Sequence, residues 1–236
     1  MRTIARLALG LGILAVLLLL VAGPGTRLGL WHFRTGFLLL RVGAYAGIAA
    51  AVLGLVGLAR TPGRSRAAAL GALLLGLVAF GIPLWWMRTA RSVPPIHDIT
   101  TDTERPPAFV AILPLRADAA NPAEYGGPEI ARQQREAYPD VVPLTLPVPP
   151  GAAFTRARAA ADALGWRIVA ADSAAGRLEA SDRTAWFGFI DDVVVRVEPQ
   201  GEGSRVDVRS VSRVGKSDVG KNASRIREFL AKMREG

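Results

Sequence analysis

The chain contains no cysteine. That absence excludes disulfides, thiolate metal sites, a cysteine nucleophile and a cysteine-linked lipid anchor. Histidine is nearly as scarce: His32 and His97 are the only two, far apart in sequence. They form no metal-ligand spacing, and a Ser-His-Asp triad in the C-terminal part would have to use His97 alone. Glycine-rich phosphate loops are missing as well. No metal and no other cofactor is therefore expected, and the sequence argues against an enzyme without excluding one.

Acidic residues are also missing where a soluble protein would have them: all 20 lie from Asp98 onward. The formal charge of +9 is accordingly lopsided, with 10 arginines and no acid in residues 1–91, against 19 basic and 20 acidic residues in 92–236. A nucleic-acid-binding domain needs its basic surface facing phosphates. Here the excess flanks apolar segments, so it is a membrane-topology signal and no nucleic-acid partner is expected. Arginine outnumbers lysine 26 to 3, with alanine and glycine abundant, a composition typical of GC-rich bacterial genomes.

Three long hydrophobic runs occupy the basic part: about 7–22, 36–59 and 67–86. About 20 helical residues cover the roughly 30 Å hydrocarbon core, so residues 1–91 read as a three-helix transmembrane domain. Arg41 sits inside the second run, close enough to its start for the side chain to snorkel to the headgroups; a functional intramembrane arginine is the alternative. Gly43, Gly47 and Ala51 lay a strip of small residues along one face, suited to close packing within the chain. With the N-terminus inside, Arg2, Arg6, Arg60, Arg64 and Arg66 are cytoplasmic and Arg27, Arg34, Arg88 and Arg91 are outside, a five-to-four bias. Trp31 and Trp85–Trp86 then share one interface. The expected location is the bacterial inner membrane, multi-pass, with a periplasmic C-terminal domain. Cleavage of the first run would leave that parity unchanged, and Val-Ala-Gly-Pro-Gly is a poor cleavage site.

Residues 92–107 read as a polar, proline-bearing tether, and 108–236 as a soluble α+β domain with a mostly antiparallel sheet and helices on one face. Helices are expected over 128–138 and 152–164, with a strand over 141–148 between them. Two hairpins follow. The first joins 166–171 to 177–182, with Ile168 and Ala170 pairing Leu178 and Ala180. In the second, 191–198 pairs with 205–213 in a register fixed by two patterns. Val197 opposes Val206 and Val195 opposes Val208 on the core face, while Arg196 opposes Asp207 and Glu198 opposes Arg205 on the other. The final stretch, 217–235, is an amphipathic helix capped by Ser217 or Asp218, with an inward stripe of Val219, Asn222, Ile226, Phe229, Leu230 and Met233.

The same register sets Asp191 opposite Ser212 and Val193 opposite Ser210, close to Asp218, Asn222 and Arg225 at the start of the last helix. Converging Asp, Ser, Asn and Arg suit either a polar ligand or a hydrogen-bonded network joining hairpin to helix. Asp191 and Asp192 are no catalytic dyad, because adjacent strand residues point to opposite faces. Asp207 is committed to Arg196.

The stretches AYPDVVPL, GW with GRLEA, WFGFIDDVVVRV and RVDVRSVSRVGKSDVGKNASRIREF resemble the bacterial and plastid domain-of-unknown-function family 1499 over about residues 94–236. The resemblance implies a small domain carried on secreted, lipid-anchored or membrane-anchored proteins, with no activity attached. Its motif residues fall on Asp191, Asp192, Arg196, Asp207, Arg209, Ser210, Ser212, Arg213, Asp218, Asn222 and Arg225. The three-helix block lies outside it.

Three functions fit these residues. The favoured one is a membrane-anchored, non-enzymatic periplasmic binding or interaction module, whose partners are the lipid bilayer and an envelope protein or small ligand. The second is a hydrolase or transferase using Asp191 with Arg213 or Arg225, which requires those groups to converge in an open cleft. The third is a carrier of lipid or another apolar molecule lined by Trp186, Phe187 and Phe189. The sequence fixes no oligomeric state.

Overall fold

A computed structural model of the chain describes residues 2–60 and 63–235. Met1 and Gly236, the outer bounds of the expected domains, lie outside the described residues, as do 61 and 62. The structure divides into two compact units: Met1–Arg91 with Ala185–Gly188, and Ser92–Thr184 with Phe189–Gly236.

Among the described residues the first unit holds three helices long and apolar enough to cross a membrane: α1 (Arg2–Arg27), α2 (Phe33–Arg60) and α3 (Arg64–Arg91). Each extends beyond the apolar run that announces it, because helical hydrogen bonding continues into the arginine-bearing ends. Their packing inverts that of a water-soluble bundle. The residues buried in α1 and α2 are nearly all glycine or alanine, whereas Leu7, Leu17, Leu20, Val52, Leu55 and Leu74 face outward. Large apolar side chains on the outside suit lipid, and small ones inside let backbones approach. Added Cβ atoms show how close that approach is. One at Gly76 would lie 2.4 Å from the Gly47 carbonyl oxygen, and one at Gly43 would lie 2.6 Å from Leu19 Cδ1. The Gly43–Gly47–Ala51 strip is thus spent inside the chain, against both α1 and α3. Arg41 points outward with Tyr45 one turn later, about 12 Å along α2 from its start. Trp186 and Phe187 also belong to this unit: a Cβ at Gly23 would meet the Trp186 ring at 2.3 Å, and the rings of Phe187 and Phe37 are 5.1 Å apart.

The second unit is a six-stranded antiparallel sheet with α5 (Pro150–Ala163) and α6 (Lys221–Glu235) against one face. The strands are β1 (Asp98–Thr100), β2 (Leu144–Leu146), β3 (Arg167–Asp172), β4 (Arg177–Arg183), β5 (Ile190–Gln200) and β6 (Gly203–Ser212). The order is β1-β6-β5-β4-β3, and β2 pairs with β6 beside β1. The core fills the helix side: Leu178, Ala180, Val193, Val195, Val197, Val206 and Val208 pack on Phe154, Ala157, Ala161, Ile226, Phe229 and Met233, with Trp166 stacked on Phe229. The β5–β6 register is the expected one, from Asp191 opposite Ser212 through Glu198 opposite Arg205. α4 (Gly127–Ala137) also matches, with proline in its first turn.

Four features depart from the sequence reading. Residues 98–100 lie in the expected tether but form the edge strand β1; three residues are too few to show an alternating pattern. A bulge after Ile168 puts Ala170 opposite Glu179 and Ala171 opposite Leu178, so Ala170 does not pair with Leu178. The last helix starts at Lys221. Val219 precedes it in left-handed conformation, φ 56°, which removes it from the inward stripe. Finally, the Arg196–Asp207 face of the sheet is not open. The irregular segment 101–126, with a 3-10 turn at Leu113–Arg116, covers it.

Because the chain is free of cysteine, α1–α2 packing is testable by crosslinking. The Cβ of a residue at Gly12 would lie 3.6 Å from Ala50 Cβ, within disulfide range. Gly12→Cys with Ala50→Cys should form an intramolecular disulfide on mild oxidation. Gly10→Cys with Ala50→Cys should not, since the Gly10 position meets nothing within 4 Å. Crosslinked dimers in place of monomers would contradict the packing.

Candidate functional site: two ionic networks on opposite faces of the sheet

Neighbouring residues of β5, Asp191 and Asp192, point to opposite faces, and each is the centre of a separate polar network. The eleven motif residues therefore do not form one cluster.

On the helix face Arg225 reaches down from the start of the second turn of α6. Its Nη2 donates to Asp191 Oδ2 at 2.7 Å, and Nη2 and Nε donate to Asp182 Oδ2 at 2.8 and 2.9 Å. Nη1 donates to Asn222 Oδ1 at 2.5 Å and Ser210 Oγ at 3.2 Å. Ser210 Oγ donates to Asn222 Oδ1, and Asn222 Nδ2 donates to Ser212 Oγ and the His97 carbonyl. Arg225, Asp191, Asn222, Ser210 and Ser212 are all buried. Arg225 offsets a local conflict, since Asp182 stands directly opposite Asp191 across β4–β5 and facing like charges destabilise a sheet. Asp182 is the participant that the sequence reading missed. Its signal was there: pairing the two hairpins sets two carboxylates side by side and demands a cation.

Asp218 does not touch Arg225 directly. Its carboxylate accepts the Gly220 and Asn222 N–H groups at 2.8 and 2.6 Å, holding the left-handed turn at Val219–Gly220 and capping α6. Burial raises its pKa; the two N–H groups pull the other way, and the charge of Asp191 adds to the rise.

On the opposite face Asp192 accepts four donors. Ser181 Oγ and Arg213 Nη2 reach Oδ1 at 2.8 and 2.9 Å, while Arg116 Nη1 and Arg213 Nε reach Oδ2 at 2.6 and 2.8 Å. Four donors fill a carboxylate. Asp207 is as full, with Arg196 Nη2, Arg205 Nε and Nη2, and Thr101 Oγ1. Arg209 makes a bidentate pair with Asp98 at 2.9 and 2.8 Å, its guanidinium lying over the rings of Phe109 and Tyr125. Burial, then the charge of Asp98, lifts the Tyr125 hydroxyl to about 12.

Glu179, fully buried on β4, accepts the backbone N–H groups of Val110, Ala111 and Ile112 at 2.9–3.1 Å and Arg177 Nε at 3.1 Å. Asp102 ties Arg196 and Arg205 to the start of the same covering segment. Burial pushes its pKa up, but the Arg105 and Glu104 N–H groups and then the two arginines outweigh it and hold it below the ordinary value. The sequence reading missed Glu179, Asp98, Asp102 and Arg116, whose partners lie 69, 111, 103 and 76 positions away.

Arg213 and Arg225 thus serve opposite faces and do not converge on Asp191. Asp191 and Arg225, which a hydrolase or transferase would need in an open cleft, are instead buried and bonded to each other, and Arg213 is engaged by Asp192 on the other face. Among the described residues no group of three or more His, Asp or Glu side chains is placed to hold a metal. Trp186 and Phe187 pack with the helices of the first unit and are not among the core residues of the second.

The geometry defines a class: an antiparallel α+β domain, pinned by buried ion pairs on both faces of its sheet and preceded by three long apolar helices. The chain belongs to the family described as "Protein of unknown function (DUF1499)", whose match spans residues 98–233. No curated protein matches the chain. The family match begins at the edge strand β1, so the three helices precede it.

Removing Asp192 should be severe. Asp192→Ala leaves Arg116 and Arg213 without their shared carboxylate, and breaking such a buried pair costs about 3–5 kcal/mol. The second unit should then unfold at markedly lower urea concentration in the detergent-solubilised chain. An unchanged midpoint would mean that the network contributes little.

Asp218 and Asp102 should respond to pH with opposite sign. A raised native pKa, as for Asp218, adds stability as pH falls through it; a lowered one, as for Asp102, removes stability as pH falls through it. Between about pH 6 and 3, the melting-temperature advantage of wild type over Asp218→Asn should grow and its advantage over Asp102→Asn should shrink. Parallel trends would refute these directions.

Proposed function

We propose that this chain is a membrane-anchored, non-enzymatic module of the bacterial envelope. In this reading three helices anchor it in the inner membrane, and the C-terminal domain offers a rigid surface to an envelope partner on the periplasmic side. One observation carries the reading: the family's motif residues are spent on each other. The carboxylates of Asp192 and Asp207 each accept four donors, and Asp191 is bonded to a fully engaged Arg225. A catalytic acid or base needs a proton or a lone pair within reach of a substrate. These groups instead fix the sheet to what covers it. Support for the orientation is the excess of arginine flanking the helices on the N-terminal side, five against four, with Trp31, Trp85 and Trp86 at one interface.

The test uses the full chain in native membranes. Photoreactive residues at exposed positions of the domain, such as Arg158 on α5, should crosslink a defined envelope component, and a reporter fused after Gly236 should be active only in the periplasm. Turnover of any substrate that Asp191→Asn or Arg225→Lys abolishes without unfolding the domain would overturn the non-enzymatic reading. A reporter active in the cytoplasm would overturn the orientation.

A further inference from the structure

The segment covering the ionic face carries an unusual surface. Four large apolar side chains beyond residue 91 are prominent among the exposed ones, and three of them fall within six positions: Val110 at 50 %, Leu113 at 44 % and Leu115 at 43 % exposure. Ala108, Ala111, Pro114 and Ala117 are exposed between and around them. The only charged residue from Ala108 to Ala117 is Arg116, and it is turned inward onto Asp192. This stretch therefore meets its surroundings with apolar side chains alone.

The backbone of the stretch is equally prepared for a medium without water. The N–H groups of Val110, Ala111 and Ile112 are taken by the Glu179 carboxylate, Leu115 N–H donates to the Ile112 carbonyl, and residue 114 is proline. The Leu115 carbonyl accepts Arg213 Nη1 at 2.5 Å. An unsatisfied peptide group is costly in hydrocarbon. With four of its N–H groups already engaged from within, the turn can enter an apolar phase at a reduced cost. The same bonds satisfy the buried Glu179 carboxylate, and a protein partner would ordinarily meet some free donors or charges.

The tether that enters the second unit is also short. Six residues, Ser92–His97, separate α3 from β1, a reach of at most about 25 Å. The chain enters the domain at Asp98, opposite Val211, and Leu115 is tied to Arg213, two residues further along the same strand. Leu115 and the tether therefore share one end of the sheet.

We propose that Ala108–Ala117 is an interfacial lipid-binding element, a rigid apolar turn that inserts Val110, Leu113 and Leu115 into the headgroup–acyl boundary of the bilayer. The proposal rests on the reading that α1–α3 span that bilayer. Insertion by this turn is hydrophobic and not electrostatic, because no exposed cation accompanies it. It is thus independent of salt and of anionic lipid.

The cysteine-free background allows a direct test in the full chain. Leu113→Cys and, separately, Leu115→Cys are labelled with an environment-sensitive fluorophore and reconstituted into phosphatidylcholine vesicles. The expected result is blue-shifted emission, quenched by nitroxide-bearing lipid and unchanged by salt, while a label at Ala174→Cys, on the exposed β3–β4 turn, is neither shifted nor quenched. Adding Leu113→Asp should abolish the quenching of the Leu115→Cys label without lowering the domain's melting temperature, since Leu113 is exposed. Unquenched, water-like emission from a chain that resists alkaline extraction would overturn the proposal and leave the membrane anchoring intact. A shift that appears only at high protein-to-lipid ratio would assign the turn to a second copy and would also overturn it. Release of the chain by alkaline extraction would overturn the anchoring and the proposal together.

Discussion

A carboxylate can leave water only if donors leave with it, and that constraint organises the second unit. β5 carries two adjacent acids whose side chains point to opposite faces, so each face must supply its own cations. On the helix face the supply is Arg225, which positions the first turn of α6. On the other it is Arg116 and Arg213, which fasten an irregular segment far too polar in backbone to be held by apolar contacts alone. The sheet's two coverings are thus located by charge, and the valines between them provide the bulk of the burial. Removing one partner is costly because the other remains enclosed, which gives these networks more influence over where things pack than over net stability.

The first unit answers to a different constraint. Its helices approach through glycine and alanine and leave their large side chains outside, an arrangement that suits lipid, where burying leucine brings no gain. The contact of the Gly47 and Gly76 backbones is the clearest consequence. The same glycines in a water-soluble bundle would be a weakness; here they are what permits contact.

Much of this was legible in the chain. The three helices follow from long apolar runs bounded by arginine, with Arg41 the one charge inside them. The β5–β6 register follows from two superimposed period-2 patterns, valine against valine and arginine against aspartate, which a slip of one residue would destroy together. That Asp218, Asn222 and Arg225 lie close to Asp191, Ser210 and Ser212 followed from that register; which of them bond to one another did not. The family resemblance identified the motif residues but not their division between two faces. That division was implicit in the alternation of strand side chains, yet it became meaningful only once a cover for the second face existed. The edge strand β1 and the bulge after Ile168 left no pattern, because three residues cannot alternate convincingly and a bulge is a local response to packing.

The sequence by itself determined the segregation of charge, the apolar helices, the core hairpin and its register, because each is written in nearest-neighbour periodicity. Only the tertiary structure decided that the polar face of the sheet is closed. Glu179 meets the Val110–Ile112 amides, Asp192 meets Arg116, and Asp98 meets Arg209 across 67 to 111 residues of chain. Such pairings depend on the path of an irregular segment, and an irregular segment has no period from which that path can be read.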